Sequence, residues 1–137
     1  MRVVLDTNVI VAAFAARGLC AEVFEPCLTD HSVIISEHIL SEIKEKLINK
    51  ICLPQSIVQD IINYLREQAE IFTPEKINES ICRDKDDANI IGTALNGEAE
   101  FIITGDDDLL ILKKYKDIEI VTPREFWERM KNRPARG

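Results

Sequence analysis

Residues 101–112 read FIITGDDDLLIL. The segment Glu100–Thr104 is short and apolar, as expected of a strand buried on both faces. It breaks at Gly105, and Asp106, Asp107 and Asp108 follow at once. An apolar pattern then resumes and predicts a helix over Asp107–Lys114. A strand that runs into a helix through a knot of like charges poses a physical question. Carboxylates this close repel one another, so something must hold them where the strand ends.

The same alternation extends in both directions. Arg2–Asp6 reads as a strand and Thr7–Ala16 as a helix with Val9, Ile10, Ala13 and Phe14 on one face. A helix over Leu19–Thr29 and a strand over Ser32–Ile35 follow. Ser36 is a good N-cap for a helix reaching Asn49, and Pro54 opens another helix that reaches Glu70. Ile71–Thr73 is extended, Asp86–Asn96 is helical, and Gly97 suits that helix's C-cap. Ile118–Val121 is the last strand, and Thr122 caps a final helix, Pro123–Lys131. Strands that alternate with helices, each strand a short apolar run, predict an α/β fold with a parallel sheet covered on both faces. Residues 1–131 read as one domain and residues 132–137 as a flexible tail.

Composition bounds the function. The chain has 137 residues, of which 46% are hydrophobic, enough for a core. No apolar stretch approaches the roughly 20 residues that span a bilayer, and MRVVLDTN lacks the long apolar stretch of a secretory signal. The expected location is the cytoplasm. Cys20, Cys27, Cys52 and Cys82 show no paired spacing, so they read as reduced, mostly buried thiols. Neither His31 nor His38 lies at zinc-ligand spacing from a cysteine. A net charge of −7 argues against a broad basic face for duplex binding. It does not exclude a nucleic-acid enzyme, because clustered site acids lower the net charge.

In open parallel sheets, ligands bind beyond the carboxyl ends of the strands. Asp6 ends the first strand and Asp106 lies just past the 100–104 strand. If those strands are neighbours, both carboxylates project from one sheet edge; the alternative is that each merely caps the next helix. Between Cys82 and Leu95, Ile90, Ile91, Ala94 and Leu95 form the apolar stripe of a helix, and Asp87 falls within it. Asp86 falls at its margin. A carboxylate on a core-facing stripe is costly unless it is neutralised; the alternative is that Asp87 sits above the core, solvated and capping the helix. In the 36–49 helix, Glu37 and Glu42 flank the stripe of Ile39, Leu40, Ile43 and Leu47 on opposite sides, and spacing does not choose between them. A hard divalent cation with oxygen ligands, Mg²⁺ or Mn²⁺, is the usual counter-charge for gathered carboxylates. The chain shows no Gly-rich phosphate cradle, no GxSxG elbow and no Cys–His pairing, which leaves metal-assisted phosphodiester hydrolysis as the natural chemistry.

VVLDTNVIVAAF, SEHILSEIKEKL, CRDKDDANIIGTAL and FIITGDDDLLIL followed by IEIVTPREFWERM together resemble PIN-domain proteins. The closest branch is the VapC-like toxin components of toxin–antitoxin systems. The resemblance covers almost the whole chain, in order. It implies a three-layer α/β/α fold with about five parallel strands and a Mg²⁺- or Mn²⁺-dependent endoribonuclease. It places the family's acids on Asp6, Glu42, Asp87 and Asp106, with Asp108 a frequent further metal ligand beside Asp6, Asp87 and Asp106. Asn8, Thr104 and Asp86 match polar positions around that site, and Asp84 belongs to the same acid-rich lead-in without an assigned role. Lys85 stands where many relatives have Pro. The implied partners are RNA and a cognate antitoxin, and family members commonly form homodimers. A catalytically inactive PIN-like binding module is the alternative. A phosphorylated receiver domain fits poorly, since Ile71–Thr73 leads to Pro74 and Ile118–Val121 to Thr122, where that fold needs Asp and Lys.

Overall fold

The computed structural model describes residues 1–16, 18–78, 80–82 and 84–132. The elements run β1 (Arg2–Leu5), α1 (Thr7–Ala15), α2 (Leu19–Asp30), β2 (Ser32–Ile35), α3 (Glu37–Asn49), α4 (Gln55–Gln68), β3 (Glu70–Ile71), α5 (Lys85–Asn96), β4 (Phe101–Ile103), α6 (Asp107–Leu110), β5 (Lys114–Tyr115), β6 (Ile118–Val121) and α7 (Pro123–Lys131). Among the described residues they form one central sheet, ordered β3-β2-β1-β4-β6-β5, with flanking helices. Every neighbouring pair is parallel except β5–β6. The expected tail lies almost wholly outside the described residues, at 133–137.

Consecutive residues are buried along the central strands: Val3, Val4 and Leu5 on β1, Val33, Ile34 and Ile35 on β2, Ile102 and Ile103 on β4. Burial of successive residues means that both sheet faces are covered, as the unbroken apolar runs predicted. The helices contribute apolar stripes at helical spacing: Ile39, Leu40, Ile43 and Leu47 from α3, Ile90, Ile91 and Ala94 from α5. Each fully buried Ile or Leu contributes about 1.5–3 kcal/mol. That stripe fixes the rotation of α3, and with it the direction in which the residues flanking the stripe point.

Two departures from the sequence reading have clear causes. The helix predicted over Asp107–Lys114 stops at Leu110, and a sixth strand, β5, pairs antiparallel with β6. The apolar stripe does not persist, because Ile111 is 78% exposed, and Lys113 takes a left-handed φ of 59° that ends the turn. Gly97 does follow α5, but not for its conformational freedom. Its φ is −81°, and Glu98 takes the left-handed position at 54°. A Cβ on Gly97 would meet Ile34 Cγ2 at 2.4 Å, so close approach to β2 is what requires the glycine. Gly92, earlier on α5, would place a Cβ 2.1 Å from the Glu75 carbonyl oxygen. That oxygen belongs to a segment whose Glu75 N–H donates to the Gly92 carbonyl at 3.0 Å.

Candidate active site

The position of the site follows from register. β1 and β4 are neighbours and parallel, with Leu5 opposite Ile103. Asp6 and Thr104, one residue beyond each, therefore stand side by side, and the Asp6 N–H donates to the Ile103 carbonyl at 2.9 Å. Thr104 is fully buried. Its hydroxyl donates to Asp6 Oδ2 at 2.7 Å and accepts from the Asp106 N–H at 3.0 Å, so one small side chain orients both acids.

The capping alternative separates these two acids. Asp6 occupies the N-cap position of α1 but its side chain makes no capping hydrogen bond. Asp106 does cap α6, accepting from the Asp108 N–H at 2.9 Å through Oδ1. A carboxylate has a second oxygen, and Asp106 lines the same small cavity as Asp6.

α5 supplies the third acid. Asp84 caps this helix, accepting from the N–H groups of Asp86 at 2.8 Å and Asp87 at 3.3 Å. Asp87 is thus free of capping duty and is buried, as its place on the apolar stripe predicted. Its pKa is pushed up to about 7, first by burial, then by the charges of Asp106 and Asp84 and by a hydrogen bond with Asp106. Burial likewise raises Asp6, with Asp106 adding to it, while the Thr104 hydrogen bond and Lys46 oppose it. Ligand oxygens of Asp87, Asp106 and exposed Asp108 lie within 4.8 Å of one another.

α3 is tied to α5 where Ser36 Oγ, its N-cap, donates to Asn89 Oδ1 at 2.9 Å. This contact brings Glu42 to the cavity, where Thr7 Oγ1 donates to its Oε1 at 3.5 Å. His38 Nε2 lies 3.2 Å from Glu42 Oε1 and 2.9 Å from Asp86 Oδ1. Burial raises the Glu42 pKa, as does the charge of Asp86, against the opposing effect of His38 and Lys46. Glu37, its equal by spacing, points elsewhere. It forms a two-pronged ion pair with Arg66 of α4, with Nη2 to Oε2 at 2.8 Å, and that hydrogen bonding lowers its pKa.

Asp6, Glu42, Asp86, Asp87 and Asp106 therefore line one cavity of about 110 Å³, and Asp108 stands next to it. Asn8 also lines it, accepting from Lys46 Nζ at 2.7 Å. Two lining residues carried no assigned role in the sequence reading, Thr7 and Asp84, while Lys46 is one of six lysines, with Lys44, Lys50, Lys113, Lys114 and Lys116, whose charge suits a phosphate backbone and among which the sequence does not choose. Lys46 is four residues beyond Glu42, one turn along the same helix face, and Asp84 sits at N-cap spacing before Asp87; those were the available signals. Cys82 stands beside this cavity, its Sγ donating to the Asp84 carbonyl at 3.6 Å and its pKa raised by burial and by the charges of Asp87, Asp84 and Asp106, and no cysteine lines it. All four cysteines are free, but only Cys27 is buried, its pKa pushed up to about 12 by that burial; Cys20 and Cys82 are half-buried and Cys52 is exposed, so the expectation of mostly buried thiols does not hold.

The fold and site together define an α/β protein whose candidate site is built from carboxylates at the strand ends. The family model for the PIN domain matches residues 2–108, and the chain belongs to the PIN-domain family. Two solved structures share the fold. VapBC2 from Rickettsia felis, bound to a DNA fragment from its promoter, matches with TM-score 0.61 at 14% identity, over 89% of this chain and 98% of that one. VapBC-1 from nontypeable Haemophilus influenzae matches with TM-score 0.62 at 20% identity, over 90% and 99%. A comparison with curated proteins finds no match.

Proposed function

We propose that this chain, with residues 1–131 as its working domain, is a Mg²⁺- or Mn²⁺-dependent endoribonuclease and the toxin of a toxin–antitoxin pair. The observation that carries the reading is the convergence of Asp6, Asp87 and Asp106 on one cavity, with the carboxyl of Asp87 held buried against its charge. The donor set fits a hard divalent cation, since it consists of carboxylate oxygens without thiolates. Asp6, Asp87 and Asp106 would hold the ion, with Asp108 as a further ligand. When bound, it supplies positive charge that lets these acids ionise together and that polarises a phosphodiester.

The chain's own residues carry the rest of the proposed reaction. Glu42, with its pKa raised, accepts a hydrogen bond from the attacking water and takes up its proton. Thr7 and His38 fix the direction of the Glu42 carboxylate. Thr104 holds Asp6 and the backbone of Asp106 in place. Water attack on phosphorus breaks the bond to the 3′ oxygen, which leaves with the bonding pair, takes a proton from solvent water to become the 3′-hydroxyl, and leaves the other fragment with a 5′-phosphate. The ribose 2′-hydroxyl takes no part.

The toxin assignment leans on the VapBC likeness, which brings with it an antitoxin as partner. Among the described residues, no helix is long and apolar enough to cross a membrane. The test is incubation of single-stranded RNA with the protein and Mg²⁺ or Mn²⁺, followed by end-group analysis. The expected products carry 5′-phosphate and 3′-hydroxyl ends. Cyclic 2′,3′-phosphate ends, or full activity in excess EDTA, would overturn the metal-dependent reading. Metal binding without any cleavage would leave a binding module in its place.

A further inference from the structure

His38, Glu42 and Lys46 follow one another at intervals of four along α3, on the flank that its buried stripe of Ile39, Ile43 and Leu47 leaves turned toward the cavity. Lys46 is the only lysine or arginine among the described residues that line the cavity. It is half-buried, whereas Lys44 on the same helix and Lys50 just past its end are exposed. Its ammonium donates to Asn8 Oδ1 at 2.7 Å, which holds the long side chain over the acids instead of leaving it in solvent. An ammonium has three donors, and Asn8 takes one of them. Its positive charge acts on both Asp6 and Glu42, opposing the rise that burial causes in the pKa of each.

A cavity lined by acids repels a phosphodiester, and a nucleic acid's affinity comes mainly from cations that meet its phosphates. Lysine is a compact point charge suited to a non-bridging phosphate oxygen. We propose that Lys46, held by Asn8, contacts a phosphate of the bound RNA at the mouth of the acid cavity. This rests on the ribonuclease reading for its substrate class, but its test does not need turnover. The competing role is a fixed counter-charge to Asp6 and Glu42 that never meets the substrate.

The experiment measures binding of a fluorescein-labelled single-stranded RNA across a KCl series at constant Mg²⁺, in the Asp106→Asn background so that the RNA stays intact. Lys46→Met should weaken binding and make the dependence of log affinity on log salt shallower by up to about 0.7, the value for one single-strand phosphate contact. Lys46→Arg should keep the parent slope, because it keeps the charge. Thermal melting of each variant reports folding, and Lys46→Gln replaces Lys46→Met if the latter does not fold. A Lys46→Met or Lys46→Gln protein with the parent's affinity and slope overturns the proposal, and so does a parent that does not bind the RNA. A chain that cuts no RNA yet shows the Lys46-dependent slope removes the nuclease reading and supports this one. A chain that cuts RNA while Lys46→Met keeps the parent slope does the reverse.

Discussion

The cavity around Asp87 measures about 110 Å³, while a groove lined by residues of α1, α2 and α4 measures about 450 Å³. Ala13, Phe14, Phe24, Leu28 and Ile61 line the groove, with Ile57 and Tyr64 of α4 exposed on it. The larger space is the poorer in chemistry. Its acids are Glu25 and Asp60, whereas the small cavity gathers Asp6, Glu42, Asp84, Asp86, Asp87 and Asp106. Size reports how the helices fit together. The cost of burying carboxylates and holding them close, visible in the raised pKa values of Asp6, Glu42 and Asp87, reports where the fold is organised around a task. The groove is a mostly apolar gap between helices, and the cavity is a place where charge is managed.

The contrast is tested most severely at the acids themselves. Asp6→Asn, Asp87→Asn and Asp106→Asn keep side-chain size and remove one charge each. Each variant should remain folded by circular dichroism and lose at least about a hundredfold in RNA cleavage, more than the roughly 10–100-fold typical of residues that only orient a ligand. Glu42→Gln should impair cleavage, whereas Glu37→Gln should leave it unchanged, because Glu37 is spent on Arg66. Equal rates for the two glutamine variants would break the assignment of Glu42.

A smaller loss is expected at Thr104. Thr104→Val keeps the shape of a fully buried side chain and removes the hydroxyl that joins Asp6 to the Asp106 backbone. Cleavage and Mn²⁺ affinity by calorimetry should both fall, by about 10–100-fold. Retained Mn²⁺ affinity would mean that Asp6 finds its position without Thr104.

Much of this was legible in the chain, and what was hidden has a physical pattern. β2, β6 and α7 fall where propensity, caps and apolar runs placed them, because those signals are local. The burial of Asp87 was legible because helical periodicity alone puts it on the stripe. Spacing did not choose between Glu37 and Glu42, and only the family resemblance did, since their roles depend on Arg66 of α4 and Thr7 of α1, which are distant in sequence. β5 was missed for the same reason: a two-residue strand is made by its partner β6, not by its own composition. Asp84 lacked a role until its cap showed how Asp87 is released from capping.

The cavity should also reveal itself through pH in the metal-free protein. The folded pKa of Asp87, about 7, lies above the ordinary aspartate value of about 3.9. The folded state therefore binds that proton more tightly than the unfolded chain does. Between about pH 3.9 and about pH 7, folding takes up a proton, so this group's contribution to stability falls as pH rises through the window. Asp87→Asn should melt at or above the wild-type temperature at neutral pH, and the gap should close on acidification. Mn²⁺ affinity of the wild type should weaken as pH falls below about 7, because the proton and the cation compete for the same oxygen. A lower melting temperature for Asp87→Asn at neutral pH would mean that the ionised carboxyl stabilises the fold and that the acids are not in conflict.

The smallest effect is expected in the groove, and it is informative because it is small. Ile57 is 47% exposed on α4, so Ile57→Ser removes apolar surface that solvent already reaches. Surface changes of this kind usually shift stability by no more than about 0.5 kcal/mol. The melting temperature should hardly move, and the RNA cleavage rate should match the wild type, because none of the groove's lining residues lines the acid cavity. A marked fall in cleavage by the isolated Ile57→Ser protein would show that the groove and the cavity are energetically coupled through α1, which lines both.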